Sequence, residues 1–313
     1  MPPRKIIIDT DPGQDDAVAI LLALASPEEL DVLAITVVAG NVPLIKTSRN
    51  ARVVCELAGR PDMPVHEGCG HPLERMLITA EHVHGKSGLD GCDLPEPTMP
   101  VSDLSAVEAI IHQVRRHPPG TVTLCPLGPL TNIATALKRA PDIAGRLAGI
   151  VLMGGGFFEG GNITPAAEFN IYVDPEAADI VMQSGVDITM MPLDVTHQAL
   201  ITREWLDRIA ALGTPVSRAV CGWLDFYERF DIEKYGGNGG PLHDPCVIAH
   251  LLKPGLFEGR FINVEIETAS DLTRGMTVAD WWGVSGRAPN ANFIAKVDAP
   301  AFFDLLADRL ARL

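Results

Sequence analysis

Residues Lys5–Leu24 read KIIIDTDPGQDDAVAILLAL, and this stretch decides the fold. Lys5 to Ile8 reads as a short buried strand, Pro12-Gly13 as a tight turn, and Asp15 through Ala25 as an almost wholly apolar helix. In a parallel α/β sheet the carboxyl end of a strand opens into the crevice where ligands bind, so the intervening loop projects carboxylates into one pocket. Those carboxylates belong to Asp9, Asp11, Asp15 and Asp16. Crowded like charges raise one another's pKa, and a hard divalent cation offsets the repulsion. Oxygen-only ligands favour calcium or magnesium over zinc. The structural alternative has Asp15 capping the helix and Asp11 stabilising the Pro-Gly turn, which accounts for one or two of the four.

Outward from this unit, apolar runs at Val32–Val38, Thr121–Cys125, Ile150–Met153, Ile188–Met191 and Ile262–Ile266 read as strands. Between them lie helical patterns at Leu44–Ala58, Leu104–Arg116, Leu130–Leu137 and Pro175–Gln183. Alternation of this kind predicts a parallel sheet with helices around it. From Thr202 to Leu252 the pattern turns mainly helical, with a glycine-rich break at Tyr235–Gly240, and a last helix is expected over Ala299–Leu310. Two long irregular segments, His66–Pro100 and Phe157–Phe169, follow strands and are placed at the same rim as the acidic loop.

Composition narrows the partners. The 313 residues are 47% hydrophobic and carry a formal charge of −15. That balance opposes attraction to nucleic acid or anionic membrane and suits neutral or cationic small ligands. Six scattered cysteines form no C-x-x-C pair, so reduced thiols are expected. The amino-terminal MPPRK has no apolar signal core and no stretch reaches membrane-spanning length, which predicts a cytoplasmic protein.

Further chemistry lies downstream. Asp244-Pro245 in GGPLHDPCVIAHLL is either an ordinary helix start or a second acidic position, and the adjacent His243 is a candidate proton donor to a leaving group. GNITPAAEFN supplies Asn162, Glu168 and Asn170, side chains suited to several sugar hydroxyls or simply to a soluble loop. Asp174-Pro175 reads as a plain helix cap. Residues 80–87, AEHVHGKS, fit a relaxed phosphate-loop pattern, but that pattern lacks the strand before it and the helix after it.

With these segments together the chain resembles the inosine-uridine-preferring nucleoside hydrolases. The resemblance rests on DTDPGQDDA at 9–17, supported in order by AGNV, LGPLTNIA, LMGGG, GNITPAAEFN and LHDP. It implies a single domain over 1–313 with an open, mostly parallel, Rossmann-like sheet flanked by helices. It also implies a ribohydrolase that uses water to split the N-glycosidic bond of a ribonucleoside, with bound Ca2+. By motif match Asp11, Asp16, Asp244 and the carbonyl of Leu127 ligate calcium, and Asp9 supports the loop. Asp15, Asn41, Asn162, Glu168 and Asn170 hold ribose hydroxyls, with Met153 against the sugar.

In that scheme Asp11 is the general base and His243 the acid, the oxocarbenium-like transition state being stabilised by the anionic side chains. His84 matches a loop that closes over the site. Tyr227 and Asp231 are candidates to face the base. His243 stands where the purine-specific branch carries tryptophan, which predicts broad or pyrimidine-favouring specificity and keeps Trp281 and Trp282 out of the site. The family also implies a homodimer or homotetramer. Two rivals differ in chemistry: a calcium-dependent nucleoside-binding protein without turnover, and a phosphatase of the haloacid dehalogenase type. The second is opposed by Gly13, which stands where that type carries Thr or Val.

Overall fold

The computed structural model describes residues 2–235 and 239–313, without the side chains of Asp231, Lys234 and Tyr235. Part of the expected glycine-rich break, residues 236–238, therefore lies outside the described residues, as does the Asp231 side chain.

Ten strands are described: β1 Arg4–Thr10, β2 Leu30–Val37, β3 Val65–Glu67, β4 Val122–Pro126, β5 Leu147–Met153, β6 Ile188–Met191, β7 Phe257–Ile262, β8 Val264–Ile266, β9 Thr277–Ala279 and β10 Ala291–Val297. Eight form one sheet in the order β3-β2-β1-β4-β5-β6-β10-β7, and only the β10–β7 pair is antiparallel. The expected open, mostly parallel sheet is thus the one observed. The chain runs outward from β1 through β2 to β3 and then crosses to β4 on the other side of β1. This reversal makes a crevice between the carboxyl ends of β1 and β4, which is where such sheets bind ligands.

Ile6, Ile7 and Ile8 are fully buried because β1 is covered on both faces, which explains a continuous apolar run rather than alternation. The helix Gln14–Leu24 is buried along its whole length, so its apolar residues have no solvent stripe to avoid. It packs against the helix Pro245–Leu252. The acidic loop and the Asp244 turn are thereby brought side by side, although more than two hundred residues separate them in the chain. On the other sheet face lie the helices Ala106–Arg116, Thr131–Arg139 and Pro175–Met182.

One expected strand is corrected. Ile262–Ile266 is two elements, because Asn290 takes over the hydrogen bonds of Val264 at that point. Its Oδ1 accepts from Val264 N at 2.8 Å and its Nδ2 donates to Val264 O at 2.9 Å. The main sheet stops at Ile262, and β8 pairs with β9 in a separate two-stranded sheet.

Asp174 does more than cap its helix. It accepts from Ala177 N at 3.0 Å, from the Thr131 hydroxyl at 2.6 Å and from Leu73 N at 2.9 Å while fully buried. Asp174→Ala leaves those donors unpaired and is expected to cost about 3 kcal/mol of stability. Urea denaturation measures this, and a loss below about 0.5 kcal/mol, the range of ordinary surface changes, would reject the tie.

Candidate active site

The carboxyl ends of the central strands deliver the acidic groups to one cavity. At its floor the carboxylate oxygens of Asp15, Asp16 and Asp244 lie within 4.8 Å of one another, all three residues buried. Among the described residues no lysine or arginine lines the cavity. Burial, and then the neighbouring Asp16, pushes the Asp15 carboxyl up to about 8. Burial followed by the Asp15 charge drives Asp244 well above the usual carboxylate range. Three oxygen donors with no countercharge fit a hard divalent cation.

The aspartates divide differently from the simplest sequence reading. Asp16, not Asp15, closes the helix start, accepting from Gly13 N at 2.9 Å, while its other oxygen takes the Thr10 hydroxyl at 2.5 Å. Asp15 contributes its carboxylate to the cluster, where the backbone N–H groups of Asp15, Asp16 and Asp244 partly offset the rise in its pKa. Asp244 has helical backbone angles (φ −66°, ψ −37°) and no capping hydrogen bond, so its carboxylate is not spent on the helix Pro245–Leu252. Asp9 supports the loop from below, accepting from the Thr36 hydroxyl at 2.5 Å and from Asn132 Nδ2 at 2.8 Å. Burial raises its carboxyl to about 7.

Asp11 is absent from the three-carboxylate cluster. Its Oδ2 accepts from Asn41 N at 2.7 Å. A Cβ on Gly40 would stand 2.0 Å from Oδ2, and one on Gly128 would stand 2.1 Å from Oδ1. The carboxylate is therefore wedged between two backbones that only glycine allows so close. Burial first, then Asp16, raises its pKa well above the ordinary range. The anticipated Pro-Gly turn is not what Asp11 serves.

Around the floor stand the expected polar groups. Asn170 Nδ2 donates to the Leu127 carbonyl at 2.7 Å and lies 3.4 Å from Met153 Sδ, so loop 162–170, β4 and β5 meet here. The Leu127 oxygen keeps a second lone pair. Glu168 caps the helix Phe169–Val173, with Oε1 taking Asn170 N and Oε2 taking Gly155 N and Ile171 N. Burial nevertheless raises it to about 7. Asn162 Oδ1 accepts from Phe169 N at 2.9 Å, and Asn41 Nδ2 donates to Asp11 O at 3.1 Å. Leu127, Met153, Asn41, Asn162, Glu168 and Asn170 all line the cavity.

The opposite end is built from rings. His84 lies on the short helix Glu81–His84 and stacks on Tyr227 at 5.7 Å between centroids. His243 lies beside His197 at 5.7 Å. Burial lowers the pKa of both His84, to about 3, and His243, well below the usual imidazole value. Both irregular segments placed at the rim do reach the cavity, through Ala80–His84 and through Asn162–Phe169. Among the described lining residues neither Trp281 nor Trp282 appears.

Sequence reading overlooked His82, His197 and Phe230, which also line this end. His197 had a usable signal, because it closes the short turn Leu193–Thr196 that directly follows the carboxyl end of β6. Its Nδ1 is 3.0 Å from Glu159 Oε2. His82 and Phe230 had none, since their contact at 5.4 Å joins segments about 150 residues apart.

Comparison with known proteins agrees with this geometry. The chain is 52% identical over 306 residues to the pyrimidine-specific ribonucleoside hydrolase RihA of Salmonella newport, covering 97% of each. It is equally similar, at 52% over 309 residues and 99% of each, to an uncharacterized protein of Schizosaccharomyces pombe. Among solved structures, the purine-preferring ribonucleoside hydrolase from Gardnerella vaginalis superposes with a TM-score of 0.92 at 34% identity over 98% of each chain. A plant nucleoside hydrolase gives 0.91 at 36% identity over 99% of each. The family described as inosine-uridine preferring nucleoside hydrolase matches residues 6–304. The acidic loop at the sheet's switch point, its partner Asp244 and the amide-lined floor occur in a chain matched to that family over nearly its whole length, and the chain belongs to it.

Proposed function

We propose that this protein is a calcium-dependent ribonucleoside hydrolase that favours pyrimidine nucleosides, releasing ribose and free base. The observation that carries the reading is the convergence of Asp15, Asp16 and Asp244 at the floor of a cavity whose walls are amide-rich and whose far end is aromatic. Pyrimidine preference is supported by the relative of that name and by a base end built from imidazoles, Tyr227 and Phe230, with no tryptophan among its described lining residues.

Asp16 and Asp244 of that cluster, joined by Asp11 and the Leu127 carbonyl, are the groups assigned to hold the ion, an all-oxygen set suited to calcium, and Asp15, the third carboxylate of the cluster, is left for the sugar. When bound, the cation offsets the buried negative charge and acts as a Lewis acid toward water and sugar oxygens. The protein's own groups do the rest. Asp15, Asn41, Asn162, Glu168 and Asn170 hold the ribose hydroxyls, and Met153 lies against the sugar. Asp11 takes the proton of the water that attacks the anomeric carbon. As the glycosidic bond breaks, positive charge grows on the sugar ring, and the carboxylates stabilise it more in the transition state than in the bound nucleoside. The departing base carries away the electron pair beside His243, with His84 and Tyr227 around it.

A reducing-sugar assay with uridine, cytidine, inosine and adenosine, in calcium and after chelation, tests this reading. Release of ribose that stops on chelation is expected. Binding of all four without hydrolysis would replace it with a binding protein, and phosphate release from phosphomonoesters would favour the phosphatase. Asn162→Ala is expected to lower kcat/KM by about 10- to 100-fold through lost hydroxyl contacts. An unchanged kcat/KM would remove Asn162 from the ribose site. The whole chain is taken to act as one domain, in the cytoplasm, as a homodimer or homotetramer, which light scattering measures.

A further inference from the structure

We infer that Thr196 and Gln14 lock the two active-site imidazoles in opposite tautomers, making His243 a hydrogen-bond donor and His84 an acceptor toward the cavity. The inference comes from counting donors and acceptors around buried groups, since a buried donor left unpaired costs more than a spare lone pair.

The Thr196 hydroxyl is fully buried and lies 2.7 Å from His243 Nδ1, with no other hydrogen-bond partner among the described residues. If Nδ1 carried a proton, the hydroxyl would accept it and its own O–H would be stranded. If Nδ1 is bare, the hydroxyl donates to it and both groups are satisfied. The second arrangement places the ring proton on Nε2, the nitrogen left for the cavity that His243 lines.

Gln14 argues the other way for His84. Its Nε2 lies 3.0 Å from two carbonyl oxygens, those of His84 and Asp90, so that atom must be the amide nitrogen. The remaining atom, Oε1, only accepts, and it stands 2.6 Å from His84 Nδ1. Nδ1 therefore bears the proton and donates it to Oε1, and because burial keeps the ring neutral, Nε2 is left as a bare acceptor. The Nδ1 edge also faces the acidic loop, since a Cβ on Gly13 would sit 2.4 Å from it. Only the Nε2 edge is left for the cavity that His84 lines.

Two neutral imidazoles of opposite polarity then do different work. The Nε2–H of His243 stabilises negative charge developing on the departing base, while His84 accepts from a substrate N–H or O–H and supplies no proton. Thr196 and Gln14 act through these rings and are positioning residues. The assignment of work, though not the tautomers, rests on the nucleoside hydrolase reading.

Nitrogen-15 NMR of the calcium-loaded, histidine-labelled protein reads the tautomers without substrate, with His84→Ala and His243→Ala identifying the signals. The expected spectrum has a protonated Nδ1 and bare Nε2 in His84, and the reverse in His243. Gln14→Leu, which removes the acceptor, should unfix the His84 tautomer. Thr196→Val should lower kcat/KM for uridine by about 10- to 100-fold, the loss expected for a hydrogen bond to a group gaining charge. The same variant should change turnover of a nitrophenyl riboside, whose leaving group needs no such help, by less than about threefold. A proton on the same nitrogen in both rings overturns the inference, as does a Thr196→Val loss equal for both substrates. The proposed function fails separately, if the unaltered protein hydrolyses no nucleoside.

Discussion

Asp244→Asn is expected to reduce ribose release from uridine by about 1,000-fold or more, the scale of losing several kcal/mol of metal-assisted transition-state stabilisation. The same change should raise the stability of the calcium-free protein. In that state Asp244 is a buried carboxylate facing Asp15 and Asp16, with its pKa driven up by burial and then by their charges. Replacing it with a neutral amide of the same shape relieves the repulsion. Calcium should then stabilise the variant less than the unaltered protein, because ligand binding to the folded state raises apparent stability by mass action. A helix-cap role predicts the opposite pattern: a small loss of stability with activity kept, about 1 kcal/mol for a lost cap. The missing capping hydrogen bond at Asp244 already argues against that pattern. Thermal melts with and without calcium, together with the ribose assay, separate the two.

The second large effect comes from residues without side chains. Gly128→Ala places a methyl 2.1 Å from Asp11 Oδ1 and 2.7 Å from its Cγ, with no flexible neighbour to yield except Asp11 itself. Gly40→Ala does the same at 2.0 Å from Oδ2 and also meets Pro129 at 2.9 Å. Each should lower kcat/KM by about 100-fold or more, since displacement of a reacting group by an ångström costs on that order. Gly145→Ala meets nothing within 4 Å and serves as the control. If Gly128→Ala retains full activity, Asp11 is not the group that takes the proton from water.

How much of this was readable in advance follows from how local each signal is. The helix Gln14–Leu24 and the strand before it were legible because their composition, turn residues and order are contained in twenty consecutive positions. The helix Ala299–Leu310 came out at its expected bounds for the same reason. By contrast β3 is three residues long and β7 presents charge and glycine, FEGRFI, so neither shows a periodicity. The break at Asn263 depends on Asn290, twenty-seven positions later, which no window could contain.

The site divides along the same line. Residue types alone pointed to an oxygen-rich cluster that a cation would relieve, and left the amide-rich loop and the histidine beside the late aspartate open to a functional or a structural reading, because chemistry of that kind is written in the side chains but not its use. Which aspartate does what was a matter of backbone direction. Asp16 turned back onto Gly13, Asp15 and Asp244 turned outward together, and Asp11 lodged between Gly40 and Gly128. Only the packing of the helix Gln14–Leu24 against Pro245–Leu252 brings the first acidic loop to the last acidic turn. The tautomers of His84 and His243 are more remote still, since they depend on Gln14 and Thr196, partners 70 and 47 positions away. The sequence by itself determined the strand-loop-helix start, the sheet class and the kind of chemistry, because these follow from local pattern and composition. The tertiary structure decided the direction of each carboxylate and the polarity of each imidazole, because both are set by hydrogen bonds that close only when distant segments meet.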